Sequence, residues 1–325
     1  MQSRTLSLRS ALQFAAMLSA AAAVASALGS YDARLDILAH FAPGYLVIGI
    51  AAAVHALLKK PGRAMLLVSA LAAVLGAGNL MANEFLRSTG SMAPNGACGQ
   101  IKIVQFNSQR TNSELSRVVS WLIDQDPDVV TISEARSDLR DTLLARTGWN
   151  VAGRKGSLMI FTRHRYIIMR RPPLPPQSEL NYANASYPSP GGPIEIVTTH
   201  LSWPTSATYA SQVRDLKSVV ARLPRERMIL TGDFNSTPWS GSLRGLDSEL
   251  GLTRRDRSIA TYPASLLGTP WPVPALPIDH VYAGPGWATV SVERGPWLGS
   301  DHYPLVVVLA PLHQPGTPGA CERGM

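Results

Sequence analysis

The sequence predicts a layered α/β domain, sheet against sheet with helices outside, carried behind an N-terminal transmembrane helical module. Three observations predict it. Residues 1–90 hold three long uncharged runs, lying between Arg9 and Asp32, between Asp36 and Lys59, and between Arg63 and Glu84. Only Pro43 and Pro61 of the 25 prolines lie in that part, so it reads as helical and the remainder as loop-rich. From Ile101 onward, short Val- and Ile-rich runs alternate with segments of helical periodicity, the pattern of stacked sheets flanked by helices.

Composition sets the outer bounds. In 325 residues, 46% hydrophobic and 16% charged content excludes a disordered chain. Two cysteines exclude a disulfide-rich scaffold or a four-thiolate zinc site. The net charge of +8 suggests a nucleic-acid binder until it is located. Half of it belongs to residues 1–90, with seven basic and three acidic side chains. The other half is diluted over all of the chain that follows.

The three runs predict transmembrane helices at about 10–31, 37–58 and 64–83, since about 20 apolar residues cross the hydrocarbon core. Their abundant Ala suits close helix packing. Arg4 and Arg9 precede the first run, and Lys59, Lys60 and Arg63 lie between the second and third. The positive-inside rule therefore places the N-terminus and that turn in the cytoplasm and everything after Arg87 outside. The other reading of the first run is a signal peptide cleaved near Ala25-Ser26-Ala27, which leaves the same sidedness. His40 and His55 are read as interfacial and receive no role.

Residues 91–100 are a Gly/Ser/Pro-bearing linker, 101–312 the globular domain and 313–325 a loose tail. Strands are predicted at Ile101–Phe106, Val129–Ile132, Leu158–Phe161, Tyr166–Met169, Ile194–Thr199, Met228–Leu230, Ile278–Tyr282, Ala288–Val292 and Leu305–Leu309. Helices are predicted from an Asn112 cap through Ile123, over Arg136–Arg146, and over Ser206–Arg222. Polar residues recur where these strands end: Asn107, Glu134, His200, then Asp233 and Asn235, Asp279 and His280, Asp301 and His302. Singly each is an ordinary turn residue. Together they read as one pocket assembled on rigid strand ends.

The ordered set Q-F-N, S-E-A, T-H-L-S-W-P, G-D-F-N, I-D-H-V and S-D-H-Y-P, with G-S-L-M-I-F-T-R at 156–163, resembles the endonuclease/exonuclease/phosphatase family of DNase I-like nucleases, inositol-polyphosphate phosphatases and sphingomyelinases. The resemblance spans about Ile101–Pro311. It implies a four-layer α/β sandwich that hydrolyses phosphate esters with a divalent cation. Glu134 is the leading metal ligand, and Asn107 and Asp301 match positions that complete or hydrogen-bond the metal shell. Hard oxygen donors in small number suit Mg²⁺, with Mn²⁺ as the alternative. Asp233 matches the residue that orients or deprotonates the attacking water, and Asn235 one that holds a phosphate oxygen. His200 and His302 match the pair flanking the scissile phosphate, and Asp279 the carboxylate that orients His302. Either Asp233 or His302 can be the base, and His280 is expected to pack beneath Asp279. The competing reading is a relative that only binds a phosphorylated ligand.

The expected substrate is an anionic phosphoester. Tethering by three helices favours a membrane lipid head group or a polyprenyl pyrophosphate, as in three-helix-anchored bacterial members that the chain resembles. Nucleic acid is the less favoured partner, because half of the net charge spread over the whole globular part is weak for a DNA groove. Trp203, Trp239, Trp271 and Trp297 lie near the motifs and read either as an apolar rim or as core. No protein partner follows from the sequence. Because the first and last strands of the resembled fold are expected to be neighbours, a Cys98–Cys321 disulfide is expected in an oxidising, extracytoplasmic location.

Overall fold

Small residues dominate the packing of the N-terminal helices. The computed structural model describes residues 8–58, 63–153, 157–164, 168–169, 172–189, 191–273 and 275–312. Helices α1 (Leu8–Ser26), α2 (Ala42–Leu58) and α3 (Arg63–Leu86) bury Ala16, Ala52, Ala56 and Ala70 with Leu66, while Phe14, Val47, Val54, Val68, Leu71 and Leu75 are exposed. This is inside-out relative to a water-soluble bundle and is the arrangement expected of helices facing lipid. Gly49 permits a close approach of α2 and α3, since a Cβ there would lie 2.8 Å from Val74 and 3.0 Å from the Ala70 carbonyl oxygen. Spans 8–29, 34–58 and 63–86 are long and apolar enough to cross a membrane. The second is not one α-helix. Residues Ala33–Phe41 form a 3-10 stretch before α2, and Pro43 occupies the first α-turn, where its missing N–H costs nothing.

The chain divides into two units, and the division is not contiguous in sequence. The first contains residues up to Arg87 together with 203–209 and 236–245. Within it, Trp239 is buried with Ala23, Ala39, Ala42 and Leu80. Both carboxylate oxygens of Asp36 accept backbone N–H groups from the first turn of helix α7 (Gly241–Glu249), from Gly241 at 2.6 Å and Ser242 at 2.8 Å. Ser240 Oγ accepts the next, from Leu243 at 3.1 Å. The orphan donors of that helix start are thus satisfied side by side.

The second unit contains two sheets. One has the order β12-β13-β1-β2-β4-β3, built from β1 (Ile101–Asn107), β2 (Val129–Ser133), β3 (Asn150–Gly153), β4 (Met159–Thr162), β12 (Trp287–Arg294) and β13 (Leu305–Pro311). The other has the order β5-β6-β7-β11-β8, from β5 (Tyr182–Tyr187), β6 (Ile194–His200), β7 (Met228–Asp233), β8 (Thr253–Arg254) and β11 (Asp279–Ala283). A hairpin of β9 (Ser265–Leu266) and β10 (Thr269–Pro270) stands apart. Ile103, Val129, Ile160, Ile196, Ile229 and Val281 pack the two sheets face to face. Helices α4 (Leu115–Gln125) and α5 (Ser137–Thr147) cover the outer face of the first sheet through Val118, Val119, Leu122, Leu139 and Leu143. Helix α6 (Tyr209–Ala221) is the crossover that the parallel pair β6/β7 requires. Together these form the helix–sheet–sheet–helix layering that the sequence predicted.

Several sequence expectations change. Asn112 does not cap α4 directly; it accepts the Glu114 N–H in a turn just before the helix. The expected strand at 166–169 is reduced, among the described residues, to a bridge between Ile168 and Ser186. Strand β5 and helix α7 were not predicted. The former reads Y-A-N-A-S-Y, poor in β-branched residues, and pairs only as an edge strand. The latter begins at a glycine and holds another. The turn expected at 59–62 and the loose tail expected from 313 lie outside the described residues.

Candidate active site

Strand direction gathers the polar residues. Strands β6 and β7 run parallel and contribute their last residues, His200 and Asp233, whereas β11 is antiparallel and contributes its first, Asp279. Register places His200 opposite Asp233 and Asp233 opposite Asp279. The other sheet repeats the logic. Parallel β1 and β2 end at Asn107 and Ser133, followed by Glu134, while antiparallel β13 is preceded by Asp301 and His302. Gly232 makes the β6/β7 approach feasible: at φ +152° a Cβ would collide with the Thr199 carbonyl oxygen.

The two sheets meet through side chains. His302 Nδ1 lies 2.7 Å from Asp279 Oδ2. Asp279 also accepts from Thr261 Oγ1 at 2.6 Å and Gln105 Nε2 at 2.9 Å. Asp233 Oδ2 lies 3.5 Å from His200 Nε2 and 3.7 Å from His302 Nε2, and it accepts from Asn107 Nδ2 at 3.0 Å. The Asn235 N–H donates to Asp233 Oδ1 at 2.9 Å, and Asn235 Nδ2 donates to the Leu201 carbonyl at 2.8 Å. Asn107 Nδ2 also reaches Glu134 Oε1 at 3.4 Å, and the Arg110 N–H donates to Glu134 Oε2 at 3.0 Å. Ser300 Oγ, bonded to the Asn107 carbonyl at 2.7 Å, accepts the His302 N–H at 3.0 Å, so it fixes the loop carrying Asp301 and His302. Gln109, Glu134 and Asn235 have φ of 54°, 55° and 49°. Left-handed backbone at three non-glycine positions in one pocket is strain of the kind stored at functional sites.

Eight of the nine strand-end residues singled out by sequence, Asn107, Glu134, His200, Asp233, Asn235, Asp279, Asp301 and His302, thus fall at one edge of the two sheets. His280 points away from them. It lies on the opposite face of β11 from Asp279, bonded to Asp256 Oδ2 at 2.7 Å and edge-on to Phe234. Sequence reasoning gave no role to Gln105 and Ser300, although they stand in the quoted motifs Q-F-N and S-D-H-Y-P, and missed Thr261. A glutamine set between Val104 and Phe106 in β1 was a signal for the first. Nothing local marks Thr261, which the fold delivers from a loop preceding β11. Of the tryptophans, Trp239 is core, Trp297 bonds the Ser300 carbonyl at 2.9 Å, and Trp271 is exposed.

Charge in the pocket is uneven. Burial alone would depress the His302 imidazolium, but Asp279 and Asp233 outweigh it and raise its pKa to about 10. Burial works against the Asp279 carboxylate too, yet His302 and the donors Thr261 and Gln105 hold it below the usual range. Asp233 is pushed up, chiefly by burial. Asp301 is likewise raised by burial, opposed by His302 and reinforced by the Glu134 charge.

Two groups could hold a cation. Asp233, Asp279 and His302 each offer an atom within 4.8 Å of the others, but all three are buried and the histidine is tied to Asp279. Glu134 and Asp301 are only partly buried and repel each other, and Asn107 adds a neutral amide. That hard, incompletely buried donor set suits a divalent cation keeping some of its waters.

Residues 104–302 match the family model described as Endonuclease/Exonuclease/phosphatase family. The chain belongs to the endonuclease/exonuclease/phosphatase family. As such it is a member of a hydrolase superfamily of nucleases and phosphatases that generally uses a divalent metal. The endonuclease/exonuclease/phosphatase protein from Bacteroides vulgatus is similar at TM-score 0.52 and 17% identity, covering 66% of this chain and 99% of that one. D. rerio TDP2 complexed with single-strand DNA product is similar at TM-score 0.52 and 16% identity, covering 65% and 99%. At such identities the likeness is one of fold: the DNase I-like sandwich of this family member is shared, and its three apolar N-terminal helices lie outside the family match. No curated protein matches the chain.

Proposed function

We propose that the protein is a divalent-metal-dependent phosphoester hydrolase, anchored by three N-terminal transmembrane helices, that works on the extracytoplasmic face on an amphiphilic substrate such as a lipid head group or polyprenyl pyrophosphate. The observation that carries the reaction class is Asp233 held between the two imidazoles of His200 and His302, with Glu134 and Asp301 near enough for the Glu134 charge to raise the Asp301 pKa. Glu134 and Asp301, with Asn107, would hold Mg²⁺, or Mn²⁺ in its place. Bound there, the cation supplies charge neutralisation and polarisation of the phosphoryl group.

The protein's own groups account for the rest. Asp233, made more basic by burial, orients the attacking water and takes its proton. His302, kept cationic by Asp279, donates to a phosphoryl oxygen as negative charge develops. His200 flanks the phosphate from the other side, and Asn235 fixes Asp233 through its backbone N–H. Sidedness rests on the distribution of basic residues around the helices. A disulfide-bonded Cys98 supports an oxidising compartment, and its expected partner Cys321 lies outside the described residues. A globular domain over 101–312 linked through 91–100 to a membrane module is part of the same reading.

A second reading, an extracytoplasmic nuclease, is favoured by one observation: the similar D. rerio protein was captured with single-strand DNA product. The test is the full chain in detergent with Mg²⁺, assayed side by side on plasmid, phospholipid and polyprenyl pyrophosphate. Product from an amphiphile with intact plasmid is expected. Plasmid nicking that weakens steeply with salt, without amphiphile turnover, would support the nuclease instead.

A further inference from the structure

The segment between Arg257 and Asp279 carries no charged side chain and is rich in proline. It builds the β9/β10 hairpin, whose apolar side chains face solvent: Leu266 is 53%, Leu267 99%, Trp271 42% and Val273 68% exposed. Leu267 and Gly268 form the two-residue turn between paired Leu266 and Thr269, with φ of +51° and +76°. That turn geometry calls for Asn-Gly or Asp-Gly. A leucine there is strained and exposes its whole side chain, so neither local conformation nor core packing accounts for it.

The base of the hairpin is fastened to the catalytic residues. The Ala264 N–H donates to the Asp301 carbonyl at 2.6 Å, and the Trp271 N–H donates to the Ala264 carbonyl at 2.8 Å. Tyr303 Oη donates to the Trp271 carbonyl at 3.0 Å, and the Tyr262 ring lies 5.0 Å from that of His302. The exposed Arg294 stacks over the Tyr303 ring at 4.5 Å, which sets a cation beside the hairpin base. An apolar tip, an interfacial tryptophan and a flanking arginine together fit a surface with a hydrocarbon interior and an anionic head-group layer.

We infer that residues 264–273 are a lipid-engaging hairpin: Leu266, Leu267, Trp271 and Val273 enter the acyl region of a bilayer and hold the pocket of Asp301 and His302 at its head-group layer. The occupant is the lipid bilayer itself. The catalytic consequence rests on the hydrolase reading above, whereas the insertion does not.

The test uses the full chain in nanodiscs of equal parts phosphatidylcholine and phosphatidylglycerol. A nitroxide is placed by Leu267→Cys and, as a reference, by Asp124→Cys on exposed α4; no cysteine among the described residues is free to compete. The label at 267 should be relaxed more by oxygen than by a water-soluble nickel chelate, and the label at 124 the reverse. Equal nickel accessibility at both positions overturns the inference. In parallel, Leu267→Asn removes the apolar tip and suits the turn better, so folding is preserved. Losing one inserted leucine should raise KM for a lipid-phase substrate about tenfold, with turnover of soluble bis(p-nitrophenyl) phosphate unchanged. An equal loss on the soluble ester makes the hairpin merely structural and also overturns the inference. A chain that hydrolyses neither substrate refutes the proposed function, and the nitroxide comparison still decides insertion.

Discussion

Asp279→Asn is the most informative single change at the site. Asp279 is buried and bonded to His302 Nδ1 at 2.7 Å, with its remaining capacity filled by Thr261 and Gln105. Asparagine keeps the shape; its one oxygen can accept from Thr261, and its amide can donate to the otherwise unpartnered Gln105 Oε1 once that side chain turns over, so the fold should survive. It removes the charge that, with Asp233, lifts the His302 pKa to about 10 against an unfavourable burial. Without it, burial is opposed by Asp233 and Asp301 alone, and the His302 pKa should fall. At neutral pH more of the rings would then be neutral, without the Asp279 charge to hold them in one orientation. A correctly charged and oriented acid–base group is worth about 10²–10⁴ in rate, or about 3–5 kcal/mol, and kcat should fall by that amount. The assay is initial-rate hydrolysis of bis(p-nitrophenyl) phosphate across acid to alkaline pH, with thermal unfolding as the control for folding. Residual activity should recover on acidification, as His302 regains its proton. A folded variant within about threefold of wild type at neutral pH, with an unchanged profile, would refute the role given to the pair.

Three further changes probe the framework. Gly232→Ala drives a Cβ into the Thr199 carbonyl oxygen, and denaturant unfolding should show a loss of about 3 kcal/mol along with activity. Asp36→Ala strips the carboxylate that accepts the Gly241 and Ser242 N–H groups and should cost about 1–2 kcal/mol in thermal stability measured in detergent, without changing metal affinity. Asp256, buried between His280 and Arg254, has its pKa held below the usual range: burial opposes the charge, but His280, Arg254 and the Val281 N–H outweigh it. A depressed folded pKa contributes stability above the unfolded value of about 4 that is lost as pH falls through the folded one. Asp256→Asn should therefore lower stability by about 3 kcal/mol at neutral pH and flatten the acid limb of the unfolding curve.

Much of the site was legible because its residues lie where strands begin or end, and strand ends are marked by the switch from Val/Ile runs to Asn, Asp, Glu and His. Which of these residues face one another was not. The row His200–Asp233–Asp279 depends on the register of three strands far apart in the chain, and no local pattern encodes register. The supports of the pair were hidden for the same reason: Thr261 is an ordinary loop residue until the fold brings it in, and Ser300, though it opens the S-D-H-Y-P motif, carries no local sign of the bonds it makes. Asp36 could be read only as a loop charge limiting a membrane span, because the helix it caps begins far downstream, at Gly241. Segments 203–209, which begins within T-H-L-S-W-P, and 236–245, just after G-D-F-N, have compositions like their surroundings, yet they group with the N-terminal helices. The hairpin shows a different limit: hydrophobicity was visible at Trp271, but exposure is a property of the folded chain.

Metal-dependent phosphoester hydrolysis at the edge shared by the two sheets can be checked by comparing the full chain with its Glu134→Gln variant on bis(p-nitrophenyl) phosphate, each after chelation and again after Mg²⁺ is restored. Wild-type turnover should disappear with chelation and return with Mg²⁺, and the folded variant should stay inactive at either step. A Glu134→Gln variant as fast as wild type, or wild-type turnover indifferent to chelation, would rule out that chemistry at this site.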